Sequence, residues 1–176
     1  MNRQNVDYTA QYADVMRVMT SRGLLLGSYD ANRKPNVMTI GWGQIGYIWG
    51  KPIWTVLVRP SRYTYQCIEH TGCFTVNVPG EDLSMAAAEC GSLSGREVNK
   101  FSVCKLTEEQ GANVFAPTVA ECPIVYECRV VHRSDIIPDR LADEILSGLY
   151  VDGDYHRMYF GHILSTRAAT DVAKFL

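Results

Sequence analysis

Apolar positions along the chain follow two rhythms, one helical and one extended. From Thr9 to Met19 the residues Tyr12, Val15, Met16 and Met19 recur at helical spacing, which predicts a short amphipathic helix stopped at Gly23. Leu24 to Tyr29 reads as a buried strand, Asp30 to Pro35 as its polar turn, and Asn36 to Trp42 as the returning strand of a hairpin. Gly43, Gly46 and Gly50 break the next stretch into a predicted loop, on which Tyr47, Ile48 and Trp49 stand exposed unless another subunit covers them. Trp54 to Val58 is a short β-branched run and so a strand. Pro60 ends its ladder, and Ser61 is placed to cap a helix carrying Thr64, Cys67 and Ile68.

Cys73 to Val78 alternates and ends at Pro79-Gly80, giving a fourth strand, and Asp82 is placed to cap a helix running through Met85 to Glu89. The segment Ser92 to Phe101 is dense in small and charged residues and reads as a binding loop, with Gly91 and Gly95 permitting close approach of a ligand to the backbone. Cys104 to Pro117 is weakly patterned and predicted irregular. Ile124 to His132 and Tyr155 to Leu164 are long alternating strands, separated by a short helix near Asp139 to Ser147. Six strands with few, short helices predict a closed or partly closed antiparallel barrel.

Length and charge narrow the picture. A chain of 176 residues is expected to be one domain, 1–176, with residues 1–21 as an N-terminal helical extension. The net charge is −2, from 17 basic and 19 acidic residues, and the basic ones are scattered, which argues against nucleic acid or an anionic membrane as partner and for a small molecule. No apolar run approaches the roughly 18 residues of a spanning helix. The six cysteines form no CxxC pair and follow no secretory pattern, so they read as reduced thiols of a cytoplasmic protein, with no metal site.

The candidate chemistry centres on Arg59-Pro60-Ser61-Arg62-Tyr63-Thr64, where a strand turns into a helix start with free backbone N–H groups. Two arginines and two hydroxyls beside those donors and the helix dipole suit an anion, a phosphate above all. A corner with solvated arginines is the plain alternative.

Four stretches in this order carry a resemblance: Asn36-Val37-Met38-Thr39-Ile40-Gly41-Trp42, then Arg59 to Thr64, then Cys90-Gly91 with Ser94-Gly95-Arg96 and Lys100-Phe101, then Tyr155-His156 with Tyr159-Phe160-Gly161-His162. Together they resemble the flavin reductase-like, flavoredoxin-type branch of the FMN-binding split barrels, over roughly residues 22 to 165. The resemblance implies a mainly β, antiparallel, Greek-key-like split barrel with a few short flanking helices, a homodimer, and FMN in a groove at or near the dimer interface. It places Asn36, Val37, Met38 and Thr39 along the isoalloxazine, and Ser61, Arg62 and Thr64 on the phosphate. Ser94, Gly95 and Lys100 would close from the far side, with Cys90 and Gly91 beside them. Arg59 would lend positive charge to the ring. His156 and His162, six apart on one expected strand and therefore on one face, are candidates for the nicotinamide side.

The implied function is that of an FMN-dependent oxidoreductase moving electrons from NAD(P)H through FMN to a flavin, protein or small-molecule acceptor. The rival from another class is a flavin-binding or electron-carrier module without turnover. A pyridoxamine-phosphate oxidase-like enzyme, on a related barrel, fits the order of motifs poorly.

Overall fold

A computed structural model describes residues 1–176. In chain order the strands are β1 (Arg3–Asn5), β2 (Leu24–Tyr29), β3 (Pro35–Ile40), β4 (Gly43–Ile48), β5 (Lys51–Val58), β6 (Cys73–Val78), β7 (Glu108–Gln110), β8 (Pro117–Val119), β9 (Ile124–Asp135) and β10 (Arg157–Ala169). The helices are α1 (Tyr12–Ser21), α2 (Tyr63–Thr71), α3 (Ser84–Ser92), α4 (Lys100–Val103) and α5 (Asp143–Leu149). Every strand pairing is antiparallel. The main sheet runs β3-β2-β6-β9-β10-β5-β4, with β1 added alongside β10 and with β7 and β8 forming a separate pair.

The two edge strands of that path, β3 and β4, are joined by only Gly41 and Trp42. Three residue steps reach about 11 Å at most, so the sheet must curl until its edges lie side by side, although they share no ladder. This is the split of a split barrel. Burial follows from the curl. All six residues of β2 are buried because Leu24 and Leu26 face a core of 22 residues that includes Trp54, Phe74 and Tyr159, while Leu25 faces a second cluster under α3 and α4 with Val37, Cys90 and Phe101. Full burial of such large side chains contributes roughly 2–3 kcal/mol each. Gly161 serves the first core by its lack of a side chain: a Cβ there would lie 2.5 Å from Phe74 Cζ and 2.8 Å from Cys128 Cβ.

Several expectations need correction. The predicted loop at Gly43 to Gly50 is strand β4 and a two-residue turn, Trp49 (φ 55°) and Gly50 (φ 68°), whose two left-handed residues match the twist of a tight hairpin. Gly43 belongs in that strand because a Cβ would meet Thr55 O at 2.7 Å and the Trp54 ring at 2.8 Å. Neither Ser61 nor Asp82 caps a helix: Arg62 and Leu83 hold those positions without a side-chain bond. The segment from Cys104 to Pro117 contains β7 and the start of β8. Residues 1–21 hold strand β1 besides the expected helix, and α1 delivers Val15, Val18 and Met19 to the main core.

Candidate functional site

The strand–helix corner after β5 faces the chain from α3 to α4 across a cavity of about 150 Å³. Its floor comes from β3 and α2. Asn36, 3% exposed, donates from Nδ2 to Thr64 Oγ1 at 2.8 Å and toward Ser28 Oγ at 3.4 Å, while its Oδ1 has no partner. Gly95 crosses directly above: a Cβ there would stand 2.1 Å from Asn36 Oδ1, so only glycine admits this approach.

Three cations and no carboxylate line this cavity. Lys100 is 4% exposed, forms no ion pair, and donates only to Cys90 O at 2.7 Å. Burial pulls its pKa below the usual lysine value. A buried ammonium without an acid is costly, and an incoming anion would relieve that cost. Arg96 donates to Ser61 O at 2.9 Å and stacks over Tyr63, while the Arg62 guanidinium makes no hydrogen bond within the chain. Burial, reinforced by the neighbouring Cys104, pushes the Cys90 thiol up to about 12, an unreactive value.

A second cavity of about 240 Å³ adjoins the first and shares Met38, Thr39 and Arg62 with it. It is more open, and a larger share of its lining is apolar, Trp42 and Leu57 joining Met38 with His156 beside them. His156 is 9% exposed, lies with its ring centroid 5.0 Å from that of Trp42, and bonds through Nδ1 to Tyr150 Oη at 2.8 Å. Burial first, then the charge of Arg59, lowers its pKa to about 4, so the imidazole is neutral at pH 7. The Arg59 guanidinium, on the lining of the second cavity, donates to Asp154 O at 2.8 Å and Leu149 O at 2.9 Å and stacks on Tyr150.

Residues 16–175 match the family model described as the flavin reductase like domain. The chain belongs to this flavin reductase-like family. Among curated relatives, an uncharacterized protein of Archaeoglobus fulgidus is 37% identical over 98 residues, 56% of this chain and 55% of that protein. The chain spans about half the length of the curated relatives it matches. Among solved structures, the flavoredoxin of Desulfovibrio vulgaris (Miyazaki F) is 27% identical with a TM-score of 0.69, covering 85% of this chain and 70% of that one. An FMN-binding domain of a flavin reductase-like enzyme from Shewanella baltica shares the fold at 22% identity and a TM-score of 0.69, covering 97% and 79%. The fold is thus the FMN-binding split barrel of the flavin reductase-like proteins.

Within this family fold the candidate residues largely converge. Asn36, Met38, Thr39, Ser61, Arg62, Thr64, Cys90, Gly91, Ser94, Gly95 and Lys100 line the first cavity, and Arg59 and His156 line the second. Two do not. Val37 is fully buried in the cluster beneath α3 and lines neither cavity. His162 sits in β10 between Ile53 and Arg129 and lines neither cavity; His156 precedes that strand, so the alternation that put the two on one face does not extend to it. Sequence reasoning missed Leu57 and Tyr63, for which an apolar or aromatic residue beside a candidate anion site was the only signal.

Proposed function

We propose that the chain is an FMN-dependent oxidoreductase that takes electrons from NAD(P)H and passes them to a second acceptor. One observation carries the reading: a cavity walled by three cations and no acid adjoins a more open, less polar cavity lined by Met38, Trp42 and Leu57. The groups fit FMN part by part. Arg62, Lys100 and Ser94 suit a phosphate dianion. Met38, Leu57 and Trp42 suit a flat ring.

Bound there, FMN supplies hydride and electron transfer chemistry at its ring. The chain's own work is to orient and to exclude water. Thr39 is fixed by a hydrogen bond from Oγ1 to Ala87 O, which ties β3 to α3 and sets the width of the ring cavity. Tyr150 holds the His156 ring in one plane, and the neutral imidazole stands beside Trp42 at the cavity edge without adding charge there. The cationic wall favours anionic ligands by lowering the cost of bringing negative charge to the site.

The purified chain should oxidise NADH or NADPH in steady state with added FMN and an acceptor. Tight FMN binding without turnover by either nicotinamide would favour the electron-carrier module instead; no flavin binding would defeat both. We further propose a homodimer in a reducing, cytoplasmic setting. Trp49, 59% exposed on the β4–β5 hairpin, forms with Phe160 and His132 an aromatic patch suited to a second copy, and Tyr47 on the same hairpin is 66% exposed. All six cysteines are buried free thiols, as a reducing setting would keep them. Light scattering should return twice the 19.7 kDa chain mass, and a monomer that binds FMN would remove the shared interface.

A further inference from the structure

The donors at the strand–helix corner are already engaged by an acid. Ser61 Oγ donates to Asp154 Oδ2 at 2.5 Å, and the Ser61 N–H points to Asp154 Oδ1 at 3.4 Å. A carboxylate therefore occupies the hydroxyl and the amide that a phosphate oxygen would use, on the rim of a cavity whose own charged side chains are all basic. Asp154 forms no ion pair, although Arg59 and Arg62 stand with it around a neighbouring cavity of about 480 Å³. The charge is thus spent on Ser61 alone.

The backbone around Asp154 is held independently of that contact. Arg59 binds the Asp154 carbonyl, Tyr150 is 4% exposed and bonded to His156, and the Ile136 N–H donates to His156 O. Release of the carboxylate from Ser61 requires only a rotation of the Asp154 side chain, and the neighbouring cavity, which Asp154 also lines, gives it room.

We propose that Asp154 is an internal placeholder for the ligand's phosphate and tempers the site's preference for ligands that carry one. In the empty site it satisfies Ser61. A phosphate dianion, backed by Arg62 and Lys100, displaces it; a flavin without phosphate has no group to compete and binds with Asp154 in place. Asp154 therefore lowers affinity for every phosphorylated ligand and leaves unphosphorylated ones untouched. The inference rests on the flavin reading above.

Fluorescence titrations of FMN and of riboflavin against the native chain and Asp154→Asn decide it. Replacing the charged acceptor by a neutral one of the same shape weakens the hold on Ser61, so FMN should bind roughly tenfold tighter to the variant while riboflavin stays within about twofold. If the variant does not fold, the native chain suffices: the Asp154 carboxyl carbon resonance should move on adding FMN and stay on adding riboflavin. FMN binding of equal strength in both chains, an equal gain for riboflavin, or a resonance indifferent to FMN would overturn the placeholder while leaving the flavin reading intact. Failure of both chains to bind either flavin would overturn the flavin reading and the placeholder with it.

Discussion

On the floor and facing wall of the first cavity Asn36, Thr64 and Lys100 are each under a tenth exposed and each tied to a neighbouring element by a hydrogen bond. The segment that borders it from above differs. Helix α5 buries no residue, and Ile145, Leu149 and Val151 are 39, 46 and 79% exposed. The cover is held at a few points, chiefly the Arg59 bonds and the Tyr150–His156 pair. A cradle fixed in the barrel keeps its ligand geometry whether or not a ligand is bound, whereas a border tied by a handful of polar contacts can adapt to different second substrates. Affinity should therefore reside in the floor, and acid or mutation should loosen the border first.

The largest effect expected is at Lys100. Lys100→Met removes a charged donor facing a partly desolvated dianion, a loss of about 2–4 kcal/mol and so roughly thirtyfold to thousandfold in FMN affinity. The ligand-free chain should hardly notice, within about 1 kcal/mol by thermal melting, because relief of the buried charge offsets the lost bond to Cys90 O. A large collapse of stability would show that Lys100 is a structural tie instead.

Arg62→Ala should cost less, because this arginine is exposed. About 1.5–3 kcal/mol, or roughly tenfold to a hundredfold in FMN affinity, is expected by calorimetry, with riboflavin nearly unchanged. Equal weakening of the two flavins would move Arg62 from the phosphate to the ring.

The smallest effect tests the border. His156 has a folded pKa of about 4 against an ordinary value of 6.5, so as pH falls the unfolded chain takes up the proton first. Its contribution to stability is full above about pH 6.5 and is lost toward pH 4. The melting temperature of the native chain should drop over that range by more than that of His156→Asn. The carboxyls of Asp30, Glu69 and Asp135 are held below their usual range and lose their contributions at lower pH still, in both chains alike. Parallel curves would mean that His156 is not held neutral by the fold.

The floor was far more legible in the sequence than the border. Leu24 to Tyr29, Cys73 to Val78 and the Pro60 corner follow from local chemistry, since short apolar runs bounded by turn residues and a proline act on their immediate neighbours. Strand β4 escaped because three glycines mask it; it is specified by the partner strand and by the space beside Trp54, neither of which is local. The tie from Ser61 to Asp154 spans 93 residues and leaves no periodic trace. Ser61 looked like a helix cap because its type fits one, yet a distant carboxylate took its hydroxyl. Counting in twos from His156 to His162 likewise fails because β10 begins only at Arg157, and beyond His162 the extra residue Leu164 shifts the register against β9.

The place of β10 in the sheet has a consequence for how the chain is made. It is bordered by β9 on one side and by β5 and β1 on the other, so two strands from the first third of the sequence and one from the last third all await residues 157–169. During synthesis on the ribosome the β4–β5 hairpin can form early, and β2, β3, β6 and β9 can pair in their turn, but the two halves have no ladder joining them until β10 emerges. Until then β5 and β9 each present an open edge, and Trp54 and Tyr126 have an unfinished core. Open edges invite pairing with other chains. A nascent chain stalled before residue 157 should for that reason be a preferred client of chaperones, and truncation there should yield aggregate rather than a smaller folded barrel.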